Sequence, residues 1–98
     1  MYAITSNSYR AIASAADVLP GETAVETIPA SLTAALLAAD ARRQRDALLA
    51  ACDWTQGNDS PLDATTKAAW ATYRTALRNV PEQAGFPATI LWPVSPAL

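Results

Sequence analysis

The sequence contains no histidine, a single cysteine, Cys52, and only three glycines. Without histidine, a Ser-His-Asp triad, a Cys-His dyad and a histidine metal site are all excluded. One cysteine forms neither an intramolecular disulfide nor a cysteine-rich zinc site. None of the glycines lies in a phosphate-binding loop pattern. We therefore expect a protein that is not an enzyme and that binds no metal, cofactor or small-molecule substrate.

Charge is also scarce, and the net charge of −2 gives a pI near 4.8. This balance argues against a nucleic-acid partner, because phosphate binding needs a surplus of basic residues. The first residues lack the basic and apolar regions of an export signal. The longest charge-free stretch, 83–98, is interrupted by prolines and is too short to span a bilayer. The sequence predicts no membrane partner and a cytoplasmic location.

The 98 residues have the length of one domain, 1–98. Apolar residues make up 51% of the chain, but nearly half of them are alanine. Few side chains remain that are large enough to fill a core, so a partner is a plausible source of the missing burial.

Residues 1–30 favour short strands over helices. Ser6-Asn7 is a turn signal between two short apolar runs, which predicts a β-hairpin. A third strand is predicted at Ala24–Ile28, before Pro29. The side chains that such a hairpin would bury are Tyr2, Ile4, Tyr9 and Ile12.

Helical signals begin at Ser31. No glycine or proline interrupts Leu32–Cys52, which predicts a helix over Ser31–Cys52. A second helix is predicted over Leu62–Asn79, capped either by Ser60 or by Asp63 and ended by a proline. The short connector predicts an antiparallel helical hairpin over residues 31–80.

The predicted apolar faces of the two helices differ in clarity. The first helix has Leu37, Ala41, Leu48 and Cys52, with Arg45 inside the stripe, its head group expected to reach an acid at the edge. The second has a clean stripe at three- and four-residue spacing: Leu62, Thr66, Ala69, Trp70, Tyr73, Leu77 and Val80.

Residues 81–98 are apolar, proline-rich and almost free of charge. Because proline cannot donate to a β-ladder, we expect an extended segment that packs back on the rest of the chain or on another protein. Together, the N-terminal β-hairpin element, the helical hairpin and this extended segment predict an α+β fold.

Large side chains other than leucine are few, so the aromatic residues are candidates both for the core and for a binding surface. A core role is the better interpretation for Trp70 and Tyr73, which lie in the middle of a helix face. For Trp92 the two roles are equally supported. Arg74 is better explained by a structural ion pair or a cation–π contact than by partner recognition.

Three motifs occur in order in the second half of the chain. They are R-x-x-L-L-x-x-x-D-W-T from Arg45, W-x-x-Y-R-x-x-L from Trp70, and W-P at Trp92-Pro93. In this order, over about residues 42–96, the chain resembles phage tail assembly chaperones, and its last two motifs are similar to the C-terminal ends of tail-fibre assembly proteins. The matching positions are Arg45, Leu48, Leu49, Asp53, Trp54, Trp70, Tyr73, Arg74, Leu77, Trp92 and Pro93.

The resemblance implies a bacteriophage tail-fibre assembly chaperone in the host cytoplasm that binds the C-terminal part of a fibre and assists its folding or trimerisation. Two alternatives stay open: a permanent virion component at the fibre tip or baseplate, and a chaperone of the tape-measure protein. The candidate partner-binding residues are Tyr2, Tyr9, Trp54, Trp70, Tyr73, Arg74, Trp92 and Pro93.

Overall fold

The computed structural model describes residues 1–97, which divide into two compact units. The first unit is Met1–Ala39 and the second begins at Asp40. The longer helix begins in the first unit and ends in the second. That the whole chain is one domain stays a prediction.

The first unit contains a three-stranded antiparallel sheet. Its strands are β1 (Tyr2–Ile4), β2 (Tyr9–Ala11) and β3 (Thr23–Val25), in the spatial order β2-β1-β3. The predicted hairpin is confirmed, and Thr5 N–H donates to the Ser8 carbonyl at 2.9 Å across its turn.

The third strand is shorter and begins earlier than the predicted Ala24–Ile28. It pairs with β1 over its three residues, from Thr23, which faces Ile4, to Val25, which faces Tyr2. Its length is therefore set by its partner strand, which the pattern within one strand does not reveal.

The two predicted helices are confirmed. The first, α1, is Ala30–Ala51, and the second, α2, is Ala64–Arg78. Asp63 is the N-cap of α2, because its Oδ1 accepts the Thr66 N–H at 2.7 Å. The antiparallel arrangement of the helices stays a prediction.

The core of the second unit lies between the last turns of α1 and one face of α2. Its buried members are Cys52, Trp70, Tyr73 and Leu77. Leu48, Leu49, Leu62 and Trp92 are partly buried and pack against them. The rings of Trp70 and Tyr73 meet edge to face, with centroids 5.6 Å apart, a geometry that aromatic pairs prefer. Together with buried Val80, this confirms most of the predicted α2 stripe.

Several expected core positions are wrong. Leu37 and Tyr9 are exposed large hydrophobics, and Ala69 is exposed as well. In the sheet, the fully buried side chain is Ala3, which lies on the face of central strand β1 opposite to its neighbours. A search for large side chains misses it because the buried side chain is a single methyl group.

The C-terminal region is less uniform than the single extended segment predicted over residues 81–98. Val80–Glu82 is a 3₁₀ helix, and turns follow up to Thr89, whose N–H donates to the Gly85 carbonyl at 2.8 Å. Residues 90–97 contain neither helix nor strand. An extended conformation there stays a prediction, and Leu98 lies outside the described residues.

Candidate partner-binding surface

Arg74 is a structural cross-link between the two helices. Its Nη1 donates to the Leu49 carbonyl at 2.9 Å and contacts the Cys52 Sγ at 3.2 Å, while its Nη2 donates to Asp53 Oδ1 at 2.8 Å. The Leu49 carbonyl also accepts the Cys52 N–H at 3.2 Å, so the guanidinium is a second donor to it, at a helix end where a cation is also favoured by the helix dipole. The ion-pair interpretation of Arg74 is confirmed.

The pKa of Arg74 reflects two opposing effects. Burial disfavours the charged form and lowers the pKa, but the hydrogen bonds with Cys52 and Asp53 outweigh burial and raise it above its ordinary value. The side chain is therefore a permanent cation whose head group is already engaged within the chain.

Trp70 and Tyr73 are buried, as the core interpretation requires. Trp70 is only 8% exposed, and its indole Nε1 has no hydrogen-bond partner among the described residues. An unpaired buried donor is costly, so this side chain is stabilised by packing alone. Direct contact of these two residues with a partner stays a prediction.

Trp54 is the aromatic residue of this unit that is most accessible, with 47% of its surface exposed. It lies on the 3₁₀ helix Asp53–Gln56 directly after α1. The residues that follow it hold the turn in place: the buried Thr55 hydroxyl donates to the Cys52 carbonyl at 2.7 Å, and Gln56 Nε2 donates to the Lys67 carbonyl at 3.0 Å. Trp54 is thus an exposed ring on a fixed turn, which is the usual form of an interface anchor.

Trp92 and Pro93 are half-buried, and Trp92 packs against the core cluster. The residue before them is held by Gln83, whose side-chain amide exchanges two hydrogen bonds of 2.8 Å with the backbone N–H and carbonyl of Leu91. The sequence analysis missed Gln83, because a lone glutamine has no signal of its partner eight residues away.

Tyr2 and Tyr9 lie together on the sheet of the first unit. Their rings meet edge to face, with centroids 6.2 Å apart, and Tyr9 is exposed. Arg10, which follows Tyr9 on β2, forms a bidentate ion pair with Glu22 at 2.8 and 3.0 Å. The hydrogen bond from Arg10 and that from the Leu19 N–H lower the pKa of Glu22. The pair ties β2 to the loop before β3.

The eight predicted residues thus fall into groups within each unit. Tyr2 and Tyr9 share the sheet of the first unit. In the second unit, the core cluster contains Trp70 and Tyr73. Trp92 packs against this cluster and is followed by half-buried Pro93, and Arg74 bonds the end of α1. Trp54 is exposed on the turn beside that end.

Within residues 1–97, no group of three or more acidic or cysteine side chains is placed to hold a metal ion. In the same part of the chain, neither helix has the length and hydropathy of a membrane-spanning segment.

A family model described as phage tail assembly chaperone protein matches residues 38–97. The matched region includes more than half of α1, all of α2 and the C-terminal region, and it omits the sheet. Neither a curated protein nor a solved structure matches the chain.

Proposed function

Since this chain belongs to the phage tail assembly chaperone family, we propose that its client in tail assembly is the C-terminal part of a tail fibre, whose folding or trimerisation it assists. The coarser role, a chaperone that binds a phage tail protein, follows from membership of the family. The choice of the fibre as client rests on the surface of the first unit.

The observation that supports this choice is an open sheet edge on β2. Ala3 faces Arg10 in the register of β1 and β2. Two residues away on each side, the strands are joined by backbone hydrogen bonds, from the Ile12 N–H to the Met1 carbonyl and from the Thr5 N–H to the Ser8 carbonyl. In an antiparallel ladder, hydrogen-bonded pairs alternate with non-bonded pairs, so the backbone N–H and carbonyl of Arg10 point towards β1. The backbone groups of Tyr9 and Ala11 consequently face away from β1, on the outer edge of the sheet.

This edge suits an incomplete fibre. Fibres built from intertwined β-chains fold through slow, non-local pairing and expose strand edges until they are complete. A strand of the client that adds to β2 would cover such an edge by β-augmentation. All three residues of β2 are exposed, and the Tyr2–Tyr9 ring pair provides apolar contact beside the edge. The family match omits this sheet, which leaves the sheet free to be specific for one client.

The experiment is co-expression of this chain with a tail fibre of the same phage. We expect soluble trimeric fibre in its presence, and a complex in size-exclusion chromatography with light scattering. An unchanged fibre yield together with no complex would overturn the fibre as client. Co-expression with the tape-measure protein would then test the other client.

Two substitutions at Ala11 test the edge itself. Ala11→Pro removes the outward N–H donor but not a bond to β1, since edge strands tolerate proline at such positions. Ala11→Val keeps the donor and adds similar bulk. We expect weaker fibre binding by the proline variant alone. Equal binding by both variants would show that the fibre does not pair with β2.

The remaining candidates contribute differently to this proposal. Tyr9 and Trp54 are the accessible aromatic side chains, and we propose them as direct contacts, with Tyr2 supporting the first. Trp70, Tyr73 and Arg74, like Trp92 and Pro93, would act by shaping the second unit. The site of action proposed is the host cytoplasm during assembly. Mass spectrometry of purified virions would decide whether the protein also stays on the fibre, since a stoichiometric amount would make it a virion component.

A further inference from the structure

The C-terminal region has an uncharged surface with unusually exposed apolar side chains. Leu91 is 80% exposed and Val94 is 90% exposed, the highest values among the exposed large hydrophobic residues. No charged residue occurs from Gln83 to the end of the chain. Scattered exposed leucines are ordinary, but two such neighbours on a charge-free segment indicate an interaction site.

Exposure differs from residue to residue in this segment. Leu91, Val94, Ser95 and Ala97 are exposed, whereas Ile90, Trp92, Pro93 and Pro96 are partly covered. We call the two exposed apolar side chains, Leu91 and Val94, the tail ridge.

The start of the tail ridge is held in place at Leu91 and at the residue that follows it. The Gln83 amide bonds the backbone of Leu91 twice at 2.8 Å, and the next side chain, Trp92, packs on the core cluster. The exposure of Leu91 is therefore fixed by its neighbours and does not come from a frayed end. A surface that is ordered before binding loses less entropy when it binds.

A hollow of about 490 Å³ lies directly beside the ridge. It is lined by Gln83, Ala84, Gly85, Thr89 and Leu91. The turn that closes it requires glycine, since a Cβ on Gly85 would come within 2.8 Å of the Thr89 carbonyl oxygen. Leu91 thus forms both a wall of the hollow and the start of the ridge.

We propose that the hollow and the tail ridge together dock an extended, uncharged, apolar segment of the tail-fibre client. This inference rests on the fibre being the client. None of the five residues that line the hollow is charged, so a charged segment would lose hydration without a counter-charge in the lining. A second copy of the chain is disfavoured, because a stable interface between two folded chains buries roughly 1,000 Å² or more, whereas an extended segment needs only the hollow, the ridge and the backbone groups beside them. Within the described residues 90–97, only the backbone of Leu91 is hydrogen-bonded, so backbone donors remain for an extended partner.

Two matched pairs of variants test the surface. Ala84→Asp places a charge in the lining of the hollow, and Ala88→Asp places the same charge on another exposed alanine outside that lining. Leu91→Ser removes the start of the ridge, and Leu19→Ser removes a leucine of the first unit that is 60% exposed. All four positions are exposed, so we expect the thermal midpoints to stay close to that of the wild type.

Binding is measured on the full chain with the purified fibre fragment by biolayer interferometry. We expect Ala84→Asp and Leu91→Ser to weaken binding at least tenfold, and the two control variants to change it less than twofold. If the wild type binds and all four variants bind equally well, the docking surface is overturned and the fibre remains the client. If the wild type does not bind the fibre, both proposals are overturned together.

Discussion

The indole of Trp70 offers the sharpest test of the core, because it is buried but its N–H has no partner. Replacing a large buried aromatic by alanine costs about 3–5 kcal/mol of unfolding free energy. The substitution also removes an unsatisfied donor, which costs the wild type about 1–3 kcal/mol. Taking the middle of each range, we expect Trp70→Ala to lower stability by about 2 kcal/mol, which is a substantial part of the total for a domain of this size.

Trp70→Phe separates the two contributions. Phenylalanine keeps most of the apolar contact with Tyr73 and Leu77 but has no donor. Its loss of packing is offset by the removal of the unpaired N–H, so we expect stability within about 1 kcal/mol of the wild type.

Both variants are measured by urea unfolding with far-ultraviolet circular dichroism, which does not depend on the tryptophan signal. Trp54→Ala is the control, and at a half-exposed position we expect it to change stability by no more than about 0.5 kcal/mol. A loss under about 1 kcal/mol for Trp70→Ala, together with abolished client binding, would place Trp70 in the interface instead of the core. An equal loss for both Trp70 variants would refute the argument from the unpaired donor.

Three further predictions concern polar contacts. Arg74→Met keeps the stem but removes the charged hydrogen bond to the Leu49 carbonyl, so we expect a loss of about 1.5–3 kcal/mol in the same assay; Asp53→Asn, at an exposed carboxylate, should cost less than about 1 kcal/mol. Asp63→Ala should lower the Tm and the helix content, and Asp63→Ser, which keeps a capping oxygen, should restore most of both. Folding lowers the pKa of Glu22 below its ordinary value of 4.5, so its contribution is complete above that value and is lost as the pH falls through the folded pKa. Glu22→Gln should flatten this acid limb of the stability curve, and an unchanged limb would contradict the argument.

Local signals predicted the parts of the fold that depend on nearby residues. The stripe of α2 placed Trp70, Tyr73 and Leu77 on one face, and all three are buried. Arg45 was expected to reach an acid at the edge of its helix, and it bonds neighbouring Asp46 at 2.9 Å. Such features follow from helical periodicity and chain proximity, which a sequence displays directly.

The same reasoning failed or was silent where distant segments meet. Leu37 belongs to the expected face of α1 but is exposed, since periodicity identifies a face without showing whether anything covers it. Sequence reasoning identified the residue types of the candidate site, but it did not distinguish buried Trp70 from exposed Trp54. Gln83, which positions the tail ridge, gave no signal at all.

The sequence by itself determined the α+β class, the two helices, the hairpin turn and the family, because each is carried by local pattern or by motifs in order. Only the tertiary structure decided the partner of Arg74, the open edge of β2 and the exposure of Leu91 and Val94. These features depend on which segments come together in space. Burial and strand pairing are properties of the assembled chain, so no residue specifies them alone.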